Sequence, residues 1–195
     1  MLNEILILIM AYLIGSIPFG LVISFCAGYG DIRKIGSGNI GTTNVLRTGS
    51  KFLALLTLIA DAGKVILAII LANHLGFHNV DYLVASAAFI GHLYPVWLKF
   101  KGGKGVACFF GLSLYLFPKI ALVLVVTWII TFAIFRYSSL AAIIASIAGI
   151  IALLITMPID KNLFLVISLI LLILLKHKDN IIRLIEGKES KFGKK

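Results

Sequence analysis

The sequence predicts an all-α polytopic membrane protein with seven transmembrane helices, N-terminus outside and C-terminus in the cytoplasm, and three observations carry that prediction. Hydrophobic residues make up 61% of the 195, and the mean hydropathy is +1.09, far outside the soluble average. Apolar stretches recur at about 4–27, 52–75, 81–98, 106–117, 119–135, 139–157 and 162–176, where a span needs ~20 residues to cross about 30 Å of hydrocarbon. The net charge of +10 is confined to short clusters between these stretches. A soluble nucleic-acid binder is also basic but does not distribute its charge in this way, so nucleic acid is not an expected partner.

The chain is the length of a single transmembrane domain, 1–195. Fifteen of the 18 Lys and Arg lie in 28–51, 99–105, 136–138 and the tail from Lys176 to Lys195. Seven spans bring all four segments to one side, which the positive-inside rule makes the cytoplasm. Six spans would leave the tail opposite the two glycine-rich loops. The fourth apolar stretch is short, and Pro118-Lys119 marks its break from the fifth. It therefore starts inside the preceding loop or sits in locally thinned bilayer.

The first stretch follows Asn3 and Glu4, not a basic cluster, and shows no small-residue cleavage site, so it reads as a retained span. Gly15-Ser-Ile-Pro-Phe-Gly20 interrupts it, either as a kink with small residues for helix packing or as a backbone opening that lines a cavity. Cys26 and Cys108 have no metal or redox spacing and read as small core residues. In the second stretch Asp61 and Lys64, three residues apart, share a helix face. A lone charge at mid-membrane costs ~2.5–3.5 kcal/mol on insertion scales, so the two pair with each other or face a polar cavity. His74 and His78 read as interfacial residues, and His92 as a hydrogen-bonded helix histidine.

Two loops concentrate the residues suited to binding an anion. The first, Asp31-Ile-Arg-Lys-Ile-Gly-Ser-Gly-Asn-Ile-Gly-Thr-Thr-Asn-Val-Leu-Arg47, gathers Gly36, Gly38 and Gly41 with Ser37, Asn39, Thr42, Thr43 and Asn44. Hydroxyls, amides and mobile backbone donors suit a polyol phosphate, and Arg47 can grip the phosphate through two parallel hydrogen bonds. The second, Gly91-His-Leu-Tyr-Pro-Val-Trp-Leu-Lys-Phe-Lys-Gly-Gly-Lys-Gly-Val106, sets Gly102, Gly103 and Gly105 among Lys99, Lys101 and Lys104. Glycines there permit positive φ and let main-chain N–H groups converge on an anion, with a helix expected to begin at Val106. It is not a P-loop, because the spacing differs and no Ser or Thr follows Lys104. Arg136 is either an inside charge or a residue reaching the anion site.

The tail begins Lys176-His-Lys-Asp-Asn-Ile-Ile-Arg-Leu-Ile-Glu-Gly187. His177, Asn180, Ile181 and Leu184 recur at helical spacing, which predicts a short amphipathic helix stopped at Gly187. Its lysines fit an interfacial helix on anionic lipid, but lipid contact does not explain a His and an Asn leading the apolar face.

Taken in order, the segments 36–47, 91–106 and 177–187 resemble the three motifs of the bacterial acyl-phosphate:glycerol-3-phosphate acyltransferase family, and the resemblance spans the chain. It implies a seven-span enzyme of the bacterial cytoplasmic membrane. Such an enzyme moves a fatty acyl group from acyl phosphate to the 1-hydroxyl of glycerol 3-phosphate, giving lysophosphatidic acid and phosphate, without acyl-CoA or acyl carrier protein. The resemblance carries the family's essential Ser and Arg onto Ser37 and Arg47, its glycine loop onto Gly102, Gly103 and Gly105 with Lys104, and its third-motif His and Asn onto His177 and Asn180. Thr42 stands where the family usually has Ala, and Val65 where Gly is common.

Acyl phosphate is already activated, so neither a covalent nucleophile, a metal nor another cofactor is required, and no obligate protein partner is expected. Lys104 and its glycine loop would stabilise the leaving phosphate. Arg47, Ser37 and the residues around them, Gly36, Gly38, Asn39 and Asn44, would hold glycerol 3-phosphate, with Asn180 orienting it. His177 is the candidate general base, since an unperturbed imidazole titrates near pH 6.5. If the proton leaves to the acyl phosphate instead, His177 only positions groups. A transporter of a phosphate-bearing solute is the alternative, and it predicts inverted repeats and a site near mid-membrane; the sequence shows no repeat.

Overall fold

The computed structural model describes residues 2–193, so Lys194 and Lys195 of the basic tail lie outside the described residues. All of the regular structure described is helical. The chain forms two compact units, 1–116 and 117–195.

The first unit contains α1 (Leu2–Gly15), α2 (Phe19–Cys26), α3 (Thr42–Leu46), α4 (Lys51–His74), α5 (Asp81–Leu93) and α6 (Val106–Leu116). Its centre is α4, which packs against all five of the others. Ser50 starts α4 by accepting the Leu53 N–H on its hydroxyl. Small residues bring the helices close. A Cβ at Gly15 would strike the Ala88 backbone, one at Gly91 the Tyr12 carbonyl, and one at Gly111 the Ala62 carbonyl. α1 and α2 meet at a 42° bend. The kink with small residues is the reading that fits, since Gly15 lies against the Ala88 backbone and Gly20 against the Ile40 carbonyl, and the Ile17 carbonyl freed by the break is taken by a lysine described below. Cys108 is buried as expected, but Cys26, at the end of α2, is exposed. Composition marked both cysteines as apolar without telling which helix face each occupies.

The second unit contains α7 (Pro118–Phe135), α8 (Ser138–Thr156), α9 (Lys161–Lys176) and α10 (Lys178–Ile185). α8 packs against α7, α9 and α10. The predicted break at Pro118 is real: the ring sits in the first turn of α7, where its missing N–H costs nothing. Asp160 caps α9 by accepting the Asn162 and Leu163 N–H groups at 3.0 and 2.9 Å. α7 exposes Leu122, Ile129, Ile130 and Ile134, as expected of a helix facing hydrocarbon.

Among the described residues α4, α7 and α8 are long and apolar enough to cross a membrane, and the bent α1–α2 pair makes a fourth candidate span. α5 has 13 residues, α6 has 11 and α9 has 16. The short fourth stretch inferred from the sequence is therefore α6, starting at Val106 directly out of the glycine loop.

Candidate active site

The first loop is built around one buried side chain. Ile32 is fully buried with Ile40, Val45 and Ala54, which anchors the loop's two ends. Between them Asn44, 2% exposed, accepts the Ser37 N–H at 3.0 Å and the Ser37 hydroxyl at 3.3 Å on Oδ1. Its Nδ2 donates to the Ile32 and Ile35 carbonyls at 2.7 and 3.2 Å. Asn44, expected to touch substrate, thus has both polar atoms engaged by the loop's own residues and shapes the loop. Gly36 turns with φ +55°, and a Cβ there would meet Asn44 Oδ1 and the Arg47 side chain. Arg47 therefore folds over Gly36, beside Ser37. Ser37 and Gly38 are exposed, and Asn39 and Arg47 half-buried.

Replacing Asn44 by Ala leaves buried carbonyls and an amide without this partner, so the expected loss of stability is about 1–3 kcal/mol. Thermal unfolding in detergent checks it. An unchanged melting temperature with lost activity would return Asn44 to the substrate.

The glycine loop is tied to the end of α5. The last carbonyls of a helix lack intrahelical donors, and here Gly103 N–H donates to the His92 carbonyl at 3.0 Å and Gly102 N–H to the Leu93 carbonyl at 3.2 Å. The expectation that the main-chain donors of Gly102 and Gly103 converge on an anion is corrected on this point. Positive φ occurs at Gly105 (+88°), and also at Lys99 and Phe100. Close approach explains the glycines at 102 and 103: a Cβ would strike the His92 carbonyl and Pro95 from Gly102, and the His92 imidazole from Gly103. The orphan amides of α6 begin just beyond, and Lys104, half-buried, stands between the pinned Gly103 and the helix start.

Of the two alternatives for Asp61 and Lys64, pairing is the one observed, with Nζ 2.7 Å from Oδ1 and side chains 1–2% exposed. His92 joins them, its Nδ1 2.9 Å from Lys64 Nζ and 3.6 Å from Asp61 Oδ1. The Ile17 carbonyl accepts from Lys64 Nζ at 2.9 Å. Asp61, His92 and Cys108 lie close enough together to suggest a metal, yet the Lys64 ammonium already supplies the cation to the first two. Removing one member of such a pair costs about 3–5 kcal/mol.

In the second unit, α10 forms where the amphipathic pattern predicts it. His177 and Asn180 are each 3% exposed, Ile181 and Leu184 are half-buried, and Gly187 takes φ +68° beyond the helix end. His177 Nδ1 lies 2.8 Å from the Ile173 carbonyl. A carbonyl only accepts, so Nδ1 carries the ring proton and the neutral ring has its lone pair on Nε2.

Sequence reasoning missed Glu189. Its Oε1 accepts from Asn180 Nδ2 at 2.7 Å and from the Ser139 hydroxyl at 2.8 Å, while Oε2 accepts from Arg183 at 2.7 Å. It lies beyond the helix stop, outside any periodic pattern, so no sequence signal marked it. Burial raises its carboxyl, but the hydrogen bonds from Ser139, Asn180 and Arg183 and the Arg183 charge outweigh that and leave it below its ordinary value of 4.5. A lowered carboxylate stabilises the fold above its unfolded value, and that contribution is lost as pH falls through the lowered one. The melting-temperature gap between wild type and Glu189→Gln is therefore expected to be full at neutral pH and to shrink below about pH 4.5.

Fold and site define a helical protein with membrane-length apolar spans, whose cationic, hydroxyl-bearing loops are suited to anionic ligands. Residues 5–187 match the family model for glycerol-3-phosphate acyltransferase. A glycerol-3-phosphate acyltransferase of Mesorhizobium japonicum is 50% identical over 192 residues, covering 98% of this chain and 97% of the relative. One from Agrobacterium fabrum is 48% identical over 187 residues, covering 96% and 91%. The crystal structure of PlsY (YgiH), an integral membrane glycerol 3-phosphate acyltransferase, in its glycerol 3-phosphate form superposes with a TM-score of 0.89 at 38% identity, covering 98% of this chain and 96% of that one. Its lysophosphatidic acid form gives 0.87 at 36%, with the same coverage. The chain belongs to the glycerol-3-phosphate acyltransferase family.

Proposed function

We propose that this enzyme transfers a fatty acyl group from acyl phosphate to the 1-hydroxyl of glycerol 3-phosphate, the first acylation of phospholipid synthesis. One observation carries the reading: the Gly36, Ser37 and Arg47 cluster, shaped by Asn44, occurs in a chain 38% identical to an acyltransferase crystallised in a glycerol 3-phosphate form. The glycerol hydroxyl oxygen attacks the acyl carbon, a C–O ester bond forms, and the bond from that carbon to the phosphate oxygen breaks. Lysophosphatidic acid and phosphate are the products.

Arg47, with Ser37, Gly36, Gly38 and Asn39, holds the phosphate and hydroxyls of glycerol 3-phosphate. Lys104 stabilises the charge growing on the leaving phosphate, helped by the first amides of α6. The pinned amides of Gly102 and Gly103 set its position. His177 accepts the hydroxyl proton on Nε2, and Asn180, held by Glu189, orients the acceptor. Two anions bound near each other repel, and the Lys and Arg of these segments offset that.

The membrane reading that accompanies this function has seven spans, the N-terminus outside, and the segments 28–51, 99–105 and 176–187 in the cytoplasm of a bacterium, within its inner membrane. The distribution of Lys and Arg supports it. The deciding assay gives purified protein acyl phosphate and radiolabelled glycerol 3-phosphate in detergent, without metal, CoA or partner protein. Labelled lysophosphatidic acid is the expected product. Folded protein that makes none, but carries the label across vesicle membranes, would establish a transporter instead.

A further inference from the structure

Lys64 sits where a charge is costly, and its surroundings account for each of its hydrogens. An ammonium has three donors and no acceptor. Lys64 directs them at Asp61 Oδ1, at the Ile17 carbonyl, and at His92 Nδ1. The carbonyl is available because the Pro18 break ends α1 just before it. The third contact fixes the histidine: with Lys64 donating, His92 Nδ1 accepts and the neutral ring carries its proton on Nε2.

That second edge of the ring faces the glycine loop. The position a Cβ would take at Gly103 is occupied by His92 Nε2 and its neighbouring carbons. The His92 carbonyl takes the Gly103 N–H. One residue thus holds Gly103 from two sides, by main chain and by ring, and the next residue is Lys104. An apolar side chain of similar volume would fill the space as well, and burying it would avoid the desolvation of a buried ion pair. What it would lack is a fixed ring plane.

We propose that His92 is a positioning residue for Lys104, its imidazole locked by the Asp61–Lys64 pair so that the loop at 102–105 presents the lysine in one place. The inference rests on the role given to Lys104 above. A fixed ammonium acts on the leaving phosphate without reorganising during the reaction; a loop free to shift by about 1 Å loses up to ~10²-fold in rate.

The test is a double-mutant cycle on kcat for lysophosphatidic acid formation. His92→Asn keeps an acceptor for Lys64 but removes the ring edge from Gly103, and is expected to lower kcat about 10- to 10²-fold with the melting temperature nearly unchanged. In a Lys104→Gln background the same change is expected to cost nothing further, because the group it positions is gone. Equal losses in the two backgrounds would overturn the proposal, as would wild-type kcat for His92→Asn. Gly103→Ala, whose added methyl displaces the ring, probes the same contact from the loop side and replaces His92→Asn if that variant does not fold. If Lys104→Gln alone has wild-type kinetics, the role of Lys104 fails, and that result is separate from any loss at His92.

Discussion

Replacing His177 by Gln is expected to lower kcat by about 10²–10⁴, the usual contribution of a general base. The side chain is 3% exposed, and Nδ1 donates to the Ile173 carbonyl at 2.8 Å, so the ring is held in one tautomer with its lone pair on Nε2. Gln occupies a similar volume but has no basic nitrogen. The acid limb of the kcat profile should vanish in the variant, because protonating His177 removes the base from the wild-type enzyme. Activity above about a tenth of wild type would assign the proton to the acyl phosphate itself and leave His177 a positioning group. Rate measurements across pH on folded, monodisperse protein decide between the two.

Lys104→Gln is expected to lower kcat/KM by about 10²–10³, the scale measured when one donor to a developing oxyanion is lost. The loss should fall mainly on kcat, since charge accumulates on the phosphate as the acyl bond breaks and an interaction made only then does not affect ground-state binding. Arg at this position should recover little, because a planar fork does not replace a point charge on a short, pinned loop. Gly103 N–H is bonded to His92 and α6 begins at Val106, which leaves the backbone at Lys104 little room to move. A rise in KM for acyl phosphate with kcat intact would make Lys104 a binding residue alone.

Local patterns were legible in the chain wherever a fixed spacing maps onto one helix. The start of α6 follows from where the apolar run resumes after the glycine loop, the break at Pro118 from proline sterics, and the shared face of Asp61 and Lys64 and the short helix α10 led by His177 from periods of three to four residues. Hydropathy was enough to mark a membrane protein. The order of the three motif segments was enough to point to the family.

Tertiary packing decided what each polar group does. Asn44 reads on paper like any amide in a substrate loop, and only the burial of Ile32 and Val45 around it turns its hydrogen bonds inward. The glycines at 102 and 103 suggested a phosphate cradle, but their N–H groups instead complete the end of α5. His92 reaches Lys64 across 28 residues, and Glu189 collects Ser139 from 50 residues away. Periodicity carries information over one or two turns of helix. Which donor meets which acceptor across longer separations is set by how closely glycine and alanine faces allow the helices to approach, and that is known only once the chain has folded.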